Sequence, residues 1–340
     1  MRTVIFILVA LLWSLPAWSA GLQRGEVTWV FRPQADPGAK EARLWIPYPP
    51  TTKYQRISRP EIFGNFAYHG VLNDVRGNLI IYAEWDLSKT RSPEMKVRYL
   101  VERKEIHPQD LPQGTAPWNP VHFAPYLQLD SELEGLSGLA AQITRGKTTP
   151  LAKARAIYDW VVENMRRDPK VRGCGRGDVS RLIKVKAGKC ADISSVFVAL
   201  CRAAGLPARE VLGLRLGGKE EAEITSWQHC WAEFFLPGYG WVPVDPADVL
   251  KALLIKKTNL SDPEIVRLRE YFFGGLDPFR HQLAIGRRLN LNPPPEEPPR
   301  TFFMYPHLEI DGQAKDPLDP KGFAYQIYFR PLVSEEPLAR

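Results

Sequence analysis

No two cysteines or histidines in this chain stand at the spacing of a metal-ligand pair. Its six histidines (His69, His107, His122, His229, His281 and His307) form no His-x-x-x-His. Its four cysteines form no Cys-x-x-Cys. A metal-dependent hydrolase is therefore disfavoured, and neither metal nor cofactor is expected. The glycine-rich run 172–178 lacks the Gly-x-x-x-x-Gly-Lys-Ser/Thr pattern that cradles phosphate. Lys and Arg outnumber Asp and Glu 45 to 38, but they are scattered. No stretch interleaves them with aromatics as a nucleic-acid groove would, so no nucleic-acid partner is expected. The basic balance could steer the chain toward anionic envelope polymers. No fixed repeat is present, and the only biased tract is the proline run 293–299.

What is present begins with an export signal. Arg2 opens the chain, residues 4–12 are apolar, and Ala17-Trp18-Ser19 has the small-x-small form of a cleavage site. Residues 1–19 read as a signal peptide, giving a periplasmic or secreted protein. The apolar run is too short to cross ~30 Å of hydrocarbon, and no later run without charges is longer. No membrane span is expected once the signal is removed. No cysteine stands in a Leu-x-x-Cys arrangement near the cut, so no lipid anchor is expected either.

At 44% apolar and 24% charged, the 340 residues have a globular composition with room for two or three domains. Residues 20–106 read as an N-terminal β-rich domain, a small sandwich with strands at 26–32, 41–47, 79–83 and 95–101. A Pro-punctuated linker occupies 107–130. A catalytic core follows at 131–250, then a C-terminal extension at 251–340 whose aromatic strands complete a sheet.

The chemistry concentrates between Gly188 and Asp245. After Cys190, the residues Ile193, Val196, Phe197, Leu200 and Ala204 fall on one face of a helix, which Gly205 and Pro207 stop. Cys190 thus sits in the first turn. Unpaired N–H groups and the helix dipole there favour a thiolate over a thiol, whose free pKa is about 8.5. The run 229–235 reads as a strand, 236–240 as a turn and 241–245 as the returning strand. Odd-numbered residues of the two strands share a face. His229 and Asp245 can then both look toward Cys190, with Asp245 fixing the imidazole tautomer. Asp248 should lie beyond the strand and out of reach of His229.

Gly188-Lys189-Cys190-Ala191-Asp192, the helix end 201–209, His229-x-Trp231-x-Glu233 and Gly240-Trp241-x-Pro243-x-Asp245-Pro246 together resemble the transglutaminase-like superfamily. A weaker likeness to its bacterial exported members extends to Ala42-Arg43-Leu44-Trp45-Ile46-Pro47 and the C-terminal strands. The resemblance implies an α+β fold with a papain-like core, a helix packed on antiparallel sheet. By the same resemblance Cys190 is the nucleophile, His229 the general base and acid, and Asp245 the orienting carboxylate. The expected activity is cleavage or transfer of peptide-like amide bonds through a Cys190 acyl-enzyme, hydrolysis favoured. The expected partner is a peptide or protein substrate or a cell-envelope polymer. The alternatives are protein-glutamine transamidation and a non-catalytic binding module on the same fold, which would need none of the three side chains.

Several residues keep two readings. The loop 172–178 is a substrate-lining loop or a plain connector, and its basic residues would suit an acidic substrate group. Trp160 packs, or shapes the site as an upstream tryptophan does in some relatives. Asp192 complements the helix N-terminus rather than acting as a catalytic acid, and Glu233 positions the site or forms a strand-face salt bridge. Phe323, Tyr325, Ile327 and Phe329 finish a sheet or wall a cleft. Cys190 and Cys201, about 16 Å apart along one helix, cannot pair. A Cys174–Cys230 disulfide stays open, although strand alternation points Cys230 away from the His229 face.

Overall fold

The computed structural model describes residues 21–129, 135–297 and 301–332; the expected signal peptide lies outside them. The N-terminal half is strand-built: β1 (Leu22–Phe31), β2 (Glu41–Tyr48), β3 (Gln55–Gly64), β4 (Tyr68–Asn73), β5 (Leu79–Asp86) and β6 (Met95–Lys104). In β1 every second residue from Gln23 to Phe31 is buried, the period of a half-buried strand. β3 and β4 show no such alternation and are mostly exposed. This is why composition alone did not reveal them.

Among the described residues three α-helices follow: α1 (Ala124–Leu127), α2 (Leu136–Ile143) and α3 (Pro150–Asn164). The Thr149 hydroxyl accepts from the Ala152 N–H at 3.3 Å and Pro150 occupies the first turn of α3. Ala154, Ile157, Tyr158, Val161 and Met165 form its buried stripe, and Trp160 packs half-buried against the core. Next come β7 (Arg166–Arg167), α4 (Val179–Val185), β8 (Ala187–Gly188) and α5 (Cys190–Ala203). The chain continues through β9 (Ala208–Arg215), β10 (Ala222–Glu223), β11 (Gln228–Leu236) and β12 (Gly240–Val244). The last elements are α6 (Pro246–Lys256), α7 (Pro263–Tyr271), β13 (Arg280–Ile285), β14 (His307–Ile310), β15 (Gln313–Lys315) and β16 (Tyr325–Pro331).

α5 is the hub. Every residue from Cys190 to Cys201 is buried, including the polar Asp192, Ser194 and Ser195. β9 and β11 cover one side of it, while α2, α3, α4 and α6 cover the rest. Each large side chain it buries, such as Phe197 or Leu200, contributes roughly 1.5–3 kcal/mol. The antiparallel sheet beneath runs β12-β11-β9-β13, giving the α+β arrangement of helix on antiparallel sheet.

The two N-terminal sheets run β10-β16-β1-β6-β3 and β15-β14-β2-β5-β4. They touch where the Tyr48 ring meets Tyr99 edge-on at 5.8 Å. β13 thus extends the sheet under α5, whereas β14, β15 and β16 complete the sheets of the first half. Of residues 301–310, His307–Ile310 form a strand. His281 on β13 joins the halves: its ring lies 2.9 Å from Tyr99 Oη and 3.1 Å from Gln55 Oε1. Burial lowers its pKa to about 3, so it is a neutral structural histidine.

Candidate active site

Cys190 opens α5 and is only 2% exposed. The turn before it is held by Asp192, whose buried carboxylate accepts from the N–H groups of Arg176 (2.9 Å), Gly177 (2.8 Å) and Lys189 (3.1 Å). Asp192 therefore ties the glycine-rich loop to the nucleophile helix, a structural role at the helix N-terminus. Gly175 is required there: its φ is +99°, and a Cβ on it would lie 2.0 Å from Asp192 Oδ2. The Ala191 N–H donates to the Cys174 carbonyl at 3.0 Å. Among the described residues this leaves the N–H of Cys190 itself as the candidate oxyanion donor at this turn.

β11 delivers His229 to Cys190, and the end of β12 delivers Asp245. His229 Nε2 lies 2.6 Å from Asp245 Oδ2. His229 also acts on Cys190, helping to lower the pKa of its thiol. Asp245 follows the strand and caps α6, its Oδ1 accepting from the Asp248 N–H at 3.0 Å. Tautomer and ring orientation are thus fixed by a carboxylate that is itself held at its second oxygen.

Beneath Asp245 lies an ionic cluster that sequence reading did not find. Arg280, fully buried, donates to Asp245 Oδ2, to Asp248 Oδ2 at 2.6 Å and to Asp277 Oδ2 at 2.9 Å. Arg215 also donates to Asp248 Oδ2. Asp248 Oδ1 stands 3.8 Å from His229 Nε2, so this residue is nearer the imidazole than its place beyond the strand implied. The one-turn offset from Asp245 on α6 returns it to the same side. The ion pairs hold Asp248 well below the usual carboxylate range although burial alone would raise it. Burial and Arg215 oppose protonation of His229, but Asp245 and Asp248 prevail and its pKa is raised.

Three of the four cysteines meet here. The Sγ atoms of Cys174, Cys190 and Cys230 all lie within 4.8 Å of one another, and all four cysteines are free thiols. The open Cys174–Cys230 pairing is therefore an approach without a bond. Cys230 faces Cys190 despite the alternation expected relative to His229, so successive residues of β11 both reach the nucleophile. Hydrogen bonds from Cys174 and Cys230, together with His229, bring the Cys190 thiol well below its ordinary value against the effect of burial. Its partners move the other way: Cys174 is raised chiefly by that bond, Cys230 chiefly by burial. The Cys190 sulfur thus has two further thiols within 4.8 Å, one of which, Cys174, bonds the Gln228 carbonyl at 3.5 Å.

A cleft of about 730 Å³ opens onto Cys190. Arg172, Gly173 and Cys174 of the glycine-rich loop line it, as do Tyr305, Phe323 and Tyr325 from the C-terminal segment. The loop is thus more than a connector, and the C-terminal aromatic segment provides a cleft wall as well as an inner strand, β16, of the first sheet. Arg167, Arg172, Lys189 and the acid Glu223 line the cleft, and Arg172 is paired with Asp316 beside it at 2.5 Å. The Arg167 Nη1 atom is buried without a partner among the described residues. Glu233 lies apart, bridged to Arg209 Nε at 2.8 Å across β9 and β11.

A family profile described as transglutaminase-like superfamily matches residues 137–246. An uncharacterised Haemophilus influenzae protein is 33% identical over 324 residues, covering 86% of this chain and 87% of its own length. The uncharacterised protein YebA of Bacillus subtilis is 32% identical over 136 residues, which span 36% of this chain and 18% of YebA. A solved structure from Cytophaga hutchinsonii, named as a candidate cysteine protease, superposes with a TM-score of 0.54 at 15% identity. It covers 92% of this chain and 99% of its own, a likeness of fold.

Proposed function

The chain belongs to the transglutaminase-like superfamily, and from that premise we propose that it is an exported thiol enzyme that hydrolyses peptide-like amides through a Cys190 acyl-enzyme. The observation that carries this reading is the convergence of Cys190, His229 and Asp245, with His229 bridging the thiol and the carboxylate. Cys190 as thiolate attacks the amide carbonyl, and the Cys190 N–H stabilises the oxyanion. The His229 imidazolium gives its proton to the leaving amine. His229, now neutral, takes a proton from water, whose oxygen attacks the thioester. Collapse of that intermediate releases the carboxylic acid and returns Cys190 as thiolate and His229 as imidazolium. Asp245 holds the ring throughout. The cations Arg167, Arg172 and Lys189 suit a substrate bearing a negative group.

The test is labelling by a thiol-directed alkylating agent across pH, followed by incubation with acidic peptide amides with and without a primary amine. Labelling of Cys190 at mildly acidic pH, with free acid as product even when amine is present, is expected. Labelling only near pH 8.5, the range of a free thiol, would leave a binding module on this fold as the better reading. An amine-linked product would make the protein a transamidase. Export is tested separately by mass spectrometry of the mature chain, which should begin at or beside Ala20.

A further inference from the structure

We propose that Cys174, Cys190 and Cys230 form a three-sulfur site for a divalent zinc-type cation, whose binding reversibly silences the nucleophile. The three residues come from the glycine-rich loop, the start of α5 and β11, and their sulfurs lie within 4.8 Å of one another. Zinc–sulfur bonds of about 2.3 Å place the sulfurs of a trigonal or tetrahedral site about 3.8–4.0 Å apart. The cluster approaches that spacing as folded, whereas a disulfide would need two sulfurs to close to about 2.05 Å. The donor set is the soft one that selects zinc-like ions over magnesium or calcium.

The surroundings meet the remaining requirements of a metal site. Cys174 and Cys190 line the cleft, giving an entry path, while Cys230 closes the back. Three thiolates around a dication leave a net charge of −1 beside a helix N-terminus that favours negative charge, and binding releases the protons the thiols carry. Cys174 is fixed at its backbone, its N–H donating to Tyr305 Oη at 3.0 Å. His229, next to Cys230 on β11, has its Nε2 held by Asp245, the outer-shell arrangement typical of ligating histidines. Sequence spacing could not reveal the site, because its ligands are separated by 16 and 40 residues.

The experiment uses the full reduced chain under anaerobic conditions. Zinc X-ray absorption at one equivalent should show three sulfur neighbours at about 2.3 Å. Cadmium titration should show one tight ion per chain by its thiolate charge-transfer band. One equivalent of either ion should abolish alkylation of Cys190, and a chelator should restore it. Cys174→Ser and Cys230→Ser should each weaken cadmium binding by about a hundredfold, since structural sites draw their affinity from only four ligands. Cys201→Ser should leave it unchanged. A single sulfur neighbour, or parental affinity in both serine variants, would overturn the site. Persistent Cys190 alkylation in the one-equivalent complex would overturn the switch. None of these readouts needs turnover, so failure of the amidase reading would be recognised separately.

Discussion

Replacing Arg280 by methionine tests the ionic cluster most severely. The substitution keeps much of the volume but removes the cation shared by Asp245, Asp248 and Asp277. Arg215 remains paired with Asp248 and lies 4.0 Å from Asp277, so two carboxylates keep a cation. Asp245, buried completely, keeps His229 and the Asp248 N–H but loses its guanidinium. Removing one partner of a buried pair destabilises by about 3–5 kcal/mol, and the partial cover from Arg215 places this case near 3. At about 2–4 °C per kcal/mol the melting temperature should fall by about 6–12 °C. The pH dependence has a definite sign. In the parent, Asp248 has a depressed folded pKa, so its stabilisation is present above about pH 4 and is lost as pH falls through the lower folded value. The variant has lost the Arg280 share of that stabilisation, so the gap between parent and variant shrinks in acid. Arg280 also opposes protonation of His229, so the alkaline limit of the thiolate–imidazolium pair should move to higher pH. Thermal unfolding from pH 3 to 8, with alkylation of Cys190 over the same range and above, measures all three. An unchanged melting temperature, or a gap that widens in acid, would refute the account.

The other expectations concern single contacts. His229→Ala should raise the pKa of Cys190 and slow its alkylation at pH 6 at least about tenfold, one pKa unit being tenfold in thiolate. Some thiolate character should survive through Cys174 and Cys230. Sequence position alone made Asp248 dispensable, but its buried bonds to Arg215 and Arg280 imply that Asp248→Ala destabilises by about 3 kcal/mol, read as a lower urea midpoint. Gly175→Ala should cost about 1–3 kcal/mol through backbone strain and the clash with Asp192. A melting temperature equal to the parent's would place the loop incorrectly.

The parts of the molecule written in local pattern were legible. α5 announces itself by apolar spacing between Gly188 and Gly205, and the hairpin from Gln228 to Val244 by its turn residues. Between them these two features place Cys190, His229 and Asp245. What stayed hidden depends on distance along the chain. Arg280 reaches Asp245 across 35 residues, and no local period marks it. Cys230 joined the thiol cluster against the alternation rule, because a strand pattern describes a flat ribbon and not its approach to a helix end. β3 and β4 escaped notice because both are largely exposed, so hydrophobic alternation never developed in them.

The sheet that begins with β1 has a timetable. β1 lies between β6 and β16, and Phe31 pairs with Tyr325, about three hundred residues downstream. At a synthesis rate of about 5–20 residues per second, the first strand waits about 15–60 seconds for that partner. During that time Val27, Trp29 and Phe31 lack the cover β16 later gives them, an interval in which a holding chaperone has something to grip. Phe323 and Tyr325, which arrive last, also wall the cleft over Cys190. A chain interrupted before them carries Cys190, His229 and Asp245 with an incomplete groove beside them.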